Sequence, residues 1–209
     1  TIGQKAFQGC ISLTSIFIPS SVTNIASGAF SGCRDLKDVV LNEGLVVIDV
    51  GAFQGCTALT LIKIPSTVTA ITEHAFAGCT KLKEVVLNEG LETIGELAFL
   101  RCESLTSIII PSSVTKIAPG AFQDCCNLKE VVLNEGLETI GGEAFLHCES
   151  LTRIIIPSSV TKIPPGAFWD CKNLKEVVLN EGLETIGQKA FQGCISLTSI
   201  FIPSSVTNI

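Results

Sequence analysis

The chain has 209 residues, 46% of them apolar, and sets 14 Lys and Arg against 20 Asp and Glu for a net charge of −6. That balance argues against a nucleic-acid surface, which requires clustered cations. No apolar run approaches the ~20 residues that cross a bilayer as a helix, so no transmembrane segment is expected.

In chain order, one dipeptide sets the organisation. Ala-Phe falls at Ala6-Phe7, Ala29-Phe30, Ala52-Phe53, Ala75-Phe76, Ala98-Phe99, Ala121-Phe122, Ala144-Phe145, Ala167-Phe168 and Ala190-Phe191, always 23 residues apart. A fixed period of roughly 20 to 50 residues marks a solenoid, in which each unit buries its apolar face only against its neighbours. No Gly/Ser linker or charge block interrupts the pattern, so residues 1–209 read as a single array of about nine repeats. The chain holds no Met, and residues 1–25 recur unchanged as residues 185–209. From this we expect a fragment of a longer array.

Within each repeat a Cys follows the Phe, and then comes L-x-x-[IV]-x-[IL], as in Leu105, Ile108 and Ile110. The Val/Ile content and the alternation predict a short strand. Two repeat types alternate with a period of 46. In one type the strand ends at a proline (Pro19, Pro65, Pro111, Pro157, Pro203); in the other it ends at Asn-Glu-Gly, as in Asn88-Glu89-Gly90, where Gly can adopt positive φ. A further apolar pair follows, such as Val114 and Ile117. A Gly-containing stretch then leads to the next Ala-Phe, which reads as a single helical or 3₁₀ turn.

Strand alternation puts the named residues of the motif in the core and the residue between the last two on the outside. The outward residues are Phe17, Val40, Lys63, Val86, Ile109, Val132, Ile155, Val178 and Phe201. All but Lys63 are apolar, although nothing in the core requires it. Two readings of this stripe stand: a binding or self-association surface, or the ordinary preference of strands for β-branched residues. Beside it runs a mixed row (Ser15, Asp38, Leu61, Glu84, Ser107, Glu130, Arg153, Glu176, Ser199), and beyond that a row alternating Thr and Lys. Arg153, with Leu61 and Lys63, breaks the regularity in the middle of the array and is a candidate contact.

Nine of the ten cysteines sit three residues after a framework Phe, from Cys10 to Cys194, and Cys126 is the extra one. A ladder of buried thiols is one reading; disulfides between adjacent rungs are another. Cys126 is expected to be the exposed and reactive thiol. No C-x-x-C occurs, and His74 and His147 stand in different slots away from any cysteine pair, so no metal site is expected. Phosphate-binding, dinucleotide and nucleophile-elbow motifs are missing, so no catalytic residue, cofactor or enzymatic activity is expected. The glutamate columns, such as Glu89 and Glu135, read as a solvated polar face.

The residues Ala98-Phe99, Cys102, Leu105, Ile108, Ile110, Pro111, Val114 and Ile117 resemble the leucine-rich repeats of the BspA-like (Treponema pallidum-type) class. That resemblance implies a right-handed solenoid with a parallel β-sheet on the concave face and short turns or 3₁₀ segments on the convex face. It also implies a location outside the cell or at its surface. The implied role is adhesion or protein interaction, with a protein or glycan partner on the concave face. Uniform repeats leave a structural, self-associating role open beside it.

Overall fold

The computed structural model describes residues 1–209, and strands and turns alternate along its whole length. Eight longer strands run Ser15–Ile18, Asp38–Leu41, Leu61–Lys63, Glu84–Val86, Ser107–Ile109, Glu130–Val132, Arg153–Ile155 and Glu176–Val178. They stack side by side in chain order, all pairs are parallel, and each register joins residue i to residue i+23, as in Ile109 beside Val132. The first two pair with each other, the next two likewise, and the last four form one ladder.

Between the long strands lie eight two-residue strands, Asn24–Ile25, Val47–Ile48, Ala70–Ile71, Thr93–Ile94, Lys116–Ile117, Thr139–Ile140, Lys162–Ile163 and Thr185–Ile186. The first six form a second parallel ladder and the last two pair with each other. The sequence reading anticipated only the longer sheet. A two-residue strand is too short to show alternation, so only its buried Ile was legible.

The Ala-Phe segment turns without forming a helix, which corrects the helical or 3₁₀ expectation. Phe amides donate to the Ala carbonyl of the next rung at 2.7–2.9 Å, so these backbone groups are spent between rungs. Local bonds such as Cys102 N to Phe99 O (3.1 Å) close the turn around them. A helix would need consecutive local bonds, and this segment alternates local with inter-rung ones. Two residues of each turn, at Phe−2 and Phe+2, take φ between 53° and 77°.

The rungs are held together by a column of phenylalanines. Consecutive rings from Phe7 to Phe191 lie 5.1–5.5 Å apart and within 8° of parallel. Those spacings fall in the range that offset stacking favours. Alanine precedes each ring because a larger side chain would stand where the next rung packs; Ala29 to Ala167 are fully buried at every repeat. The core is one continuous cluster of 56 buried residues, with no polar or charged residue among those buried.

The 46-residue alternation has a hydrogen-bonding cause. In Asn-Glu-Gly, the Asn amide reaches back to the Ile carbonyl of the preceding rung, as in Asn42 to Ile18 (2.8 Å), and again from Asn88, Asn134 and Asn180. The Glu carboxylate reaches forward to the Pro-Ser-Ser turn of the next rung: Glu89 accepts from Ser112 N at 3.2 Å and Ser112 Oγ at 3.0 Å, and Glu43 and Glu135 do the same. Each Asn-Glu-Gly repeat is therefore tied to the proline repeats on both sides of it. Glu43, Glu89 and Glu135 are exposed, as the reading of a solvated polar face expects, and they also tie neighbouring rungs together.

These bonds hold the three carboxyls below the ordinary Glu range, chiefly through the Ser66 and Ser112 amides for Glu43 and Glu89 and the Ser158 hydroxyl for Glu135. A carboxyl whose folded pKa is depressed stabilises the fold above its unfolded pKa, ~4.3 for Glu, and loses that contribution as pH falls through the folded value. Thermal melting should therefore hold steady from neutral pH toward pH ~5 and fall below pH ~4. A Glu43→Gln/Glu89→Gln/Glu135→Gln variant should melt lower at neutral pH and show a shallower acid slope. An unchanged slope would remove these connectors from the account.

Candidate interaction surface

The longer sheet presents the predicted faces. Ile62, Val85, Ile108, Val131, Ile154 and Val177 are buried, while their neighbours at the mixed-row position, from Ser15 to Ser199, are all exposed. In the outward row Phe17, Val40, Lys63, Ile109, Ile155 and Phe201 are exposed, with Ile109 at 64%. Val86, Val132 and Val178 are half-buried instead. Larger side chains stand beside them on the adjoining rungs, Lys63 and Ile109 beside Val86 and Ile109 beside Val132. Phe201 lies beyond the last long strand, in unpaired chain, although it was expected on a strand.

This size alternation carves the face. Four shallow grooves recur on it, one at each valine of the row, with volumes of about 420 Å³ at Val40, 510 Å³ at Val86, 430 Å³ at Val132 and 280 Å³ at Val178. Each has the same build. The valine and a Leu line the strand side, the larger residue of the next rung forms the wall (Lys63, Ile109, Ile155, Phe201), and a Lys followed by an acid stands at one end. Arg153 is bound to Glu176 at 2.9 Å. Lys37, Lys83, Lys129 and Lys175 make no ion pair, nor do Asp38, Glu84 and Glu130. The face thus offers apolar dips beside unpaired cations and anions, and it carries the outward row together with Arg153.

The framework cysteines stand between the Phe turn and the longer strand of each rung, as Cys102 stands between Phe99 and Ser107–Ile109. From Cys33 to Cys194, each framework thiol donates to the carbonyl of the Phe one rung earlier, at 3.0–3.4 Å. Each such Phe carbonyl already accepts from its own local Cys amide, so the thiol fills its second lone pair. Burial pushes the Cys79 thiol up to about 12 and raises those of Cys56, Cys102, Cys125 and Cys148. Cys10, on the first rung, is the exposed one. Cys126 is half-buried, and burial, followed by the charges of Glu149, Asp124 and Glu103, raises its thiol too. Cys126 is therefore not the exposed thiol of the set, contrary to the expectation from its place outside the framework.

Sequence reasoning missed one cluster. At Phe+2, Gly stands at positions 9, 32, 55, 78 and 193, but Arg101, Asp124, His147 and Asp170 take the slot in four consecutive rungs. His147 Nδ1 lies 2.7 Å from Asp124 Oδ1, its Nε2 3.5 Å from Asp170 Oδ2, and Arg101 Nε 3.8 Å from Asp124 Oδ2. Reading that column down the 23-residue period would have exposed the alternation of basic and acidic residue types. His74 occupies the other positive-φ slot, at Phe−2, and Asp, Asn and His are the non-Gly residues best suited to such slots. No group of three or more His, Cys, Asp or Glu side chains is arranged to hold a metal ion.

Stacked parallel coils of 23 residues, with an inward leucine-rich motif on every rung and a strand on all but the last, define a leucine-rich repeat solenoid. The pattern of the BspA type leucine-rich repeat region matches residues 1–125 and 96–209, in six copies, and the chain belongs to this family. Among solved structures, a T. pallidum leucine-rich repeat protein is 31% identical with a TM-score of 0.71, over 88% of this chain and 78% of that one. A leucine-rich repeat protein from Eubacterium ventriosum is 29% identical with a TM-score of 0.71, over 93% and 56% of the two chains. A leucine-rich cell surface protein from Faecalibacterium prausnitzii is 29% identical with a TM-score of 0.59, over 93% and 61%. No curated protein matches the chain.

Proposed function

We propose that the array is a non-catalytic interaction module, displayed outside the cell or at its surface, whose outward sheet face takes a protein or glycan partner. One observation carries this reading: the outward row is apolar at every rung but Lys63 and largely exposed, although the core does not use it. Exposed apolar surface rimmed by charge is what interaction sites present. The surface location rests on the likeness to the F. prausnitzii cell surface protein.

A second reading is self-assembly into a fibre or coat. Leu-Lys-Glu-Val-Val-Leu-Asn-Glu-Gly-Leu-Glu-Thr-Ile-Gly stands intact from Leu82, Leu128 and Leu174, more uniform than a surface shaped to one partner needs. Light scattering across protein concentration, under reducing conditions, separates the two. We expect a monomer throughout; a concentration-dependent oligomer that Ile109→Thr/Ile155→Thr abolishes would move self-assembly ahead. On arrays of immobilised extracellular proteins and glycans, that double variant should lose at least about tenfold in affinity for whatever the wild type binds. Equal binding by the variant would take the function off this face.

A further inference from the structure

We infer that the grooved face is built for a left-handed polyproline II segment lying along the solenoid axis, with one apolar side chain in each valine dip. The inference rests on the reading of this face as the interaction surface. Its starting point is that the dips repeat. Val86 and Val132 share the same strand sequence with Val178, Lys-Glu-Val-Val-Leu, and Val40 differs only by Asp for Glu. A ligand that uses more than one dip must therefore repeat with the dips.

The step between dips is two rungs, about 9.6 Å at the usual strand spacing. A polyproline II helix has three residues per turn and rises 3.1 Å per residue, so equivalent side chains recur every ~9.3 Å. Over the three steps from Val40 to Val178 the accumulated mismatch is only about 1 Å. An extended strand returns to the same face every two residues, about 6.7 Å, and falls out of register at the first step. An α-helical heptad advances ~10.5 Å and drifts by nearly 3 Å over the same span.

The chemistry beside the dips agrees with the step. Polyproline II makes no internal hydrogen bonds, so its carbonyls all need donors. Lys37, Lys83, Lys129 and Lys175 stand at the ends of the four grooves with no carboxylate within ion-pair distance. Ile109 and Ile155 form ridges between dips, and a side chain seated at Val132 would lie between them.

The test is fluorescence polarisation with synthetic peptides of two to six Val-Pro-Pro units, compared with Val-Pro repeats of equal length. Affinity should rise by about fivefold or more with each unit as far as four units and then level off, since each unit adds a tethered contact. The two-residue repeat should bind at least about tenfold more weakly, and Val132→Phe, which fills one dip, should cut the gain from added units. Equal affinity for both repeats, no dependence on unit number, or no binding at millimolar peptide would overturn the inference. If the peptides fail while Ile109→Thr/Ile155→Thr still loses binding to an extracellular ligand, the polyproline assignment falls and the interaction face stands. If both fail, both readings fall.

Discussion

Phe99→Ala should cost about 3–5 kcal/mol, the range for removing a fully buried aromatic side chain. Phe99 has no exposed surface and stacks on Phe76 at 5.4 Å and Phe122 at 5.3 Å. Its loss breaks the ring column in the middle and leaves a cavity bounded by neighbouring rungs, which cannot close without shortening the stack. In a solenoid each rung touches only its neighbours, so a mid-array lesion also weakens the coupling between the two halves. Urea denaturation followed by circular dichroism should show a lower midpoint and a broader or split transition. Phe7→Ala is the control. Phe7 is 37% exposed and has one stacking neighbour, Phe30 at 5.1 Å, so its loss should cost no more than about 1.5 kcal/mol. Equal costs at the two sites would mean that the column does not carry the array.

The second large effect is expected from a backbone position. Gly90 has φ of 107°, well past the left-handed helical region, and an added Cβ would stand 2.6 Å from the Ser66 carbonyl oxygen. Gly44, Gly136 and Gly182 share that φ within a few degrees, and every Asn-Glu-Gly connector keeps its Gly. Gly90→Ala should therefore destabilise by about 3 kcal/mol or more, combining backbone strain with a clash against backbone that cannot yield like a side chain. Gly78 offers the contrast. Its φ of 73° is in the left-handed region, and the nearest atom to an added Cβ is Gly55 Cα at 3.7 Å. The same slot holds Arg101, Asp124, His147 and Asp170 in later rungs, so Gly78→Ala should cost only about 1 kcal/mol. Thermal melts of the two variants decide the matter; a Gly90→Ala protein as stable as Gly78→Ala would mean the connector relaxes freely.

Much of this molecule is readable from one strand motif repeated at a fixed period. Ile108 in and Ile109 out follow from alternation alone. What stayed hidden depends on partners a rung away. Lys116–Ile117 is a strand only because Thr93–Ile94 and Thr139–Ile140 flank it, and two residues carry no period of their own. The helical reading of Ala-Phe failed because Phe99 N spends its hydrogen on Ala121 O in the next rung (2.8 Å), a bond that no local pattern announces. The grooves escaped notice for a related reason. Val86 and Ile109 both read as apolar and outward, and only their difference in size, placed side by side, turns one into a dip and the other into a ridge. Cys126 reads as exposed in sequence because it stands outside the framework, whereas the fold half-buries it and leaves Cys10 on the first rung exposed.

The central claim is that one strand residue belongs to the fold and the next to function, and adjacent substitutions test it most directly. Ile108 is 2% exposed and Ile109 is 64% exposed. Urea denaturation of Ile108→Thr should show a loss of about 2 kcal/mol or more, from a shortened side chain and a buried hydroxyl, while Ile109→Thr should stay within about 0.5 kcal/mol of wild type. Equal losses, or a tolerated Ile108→Thr beside a destabilising Ile109→Thr, would show that the outward row is part of the core and would contradict the account.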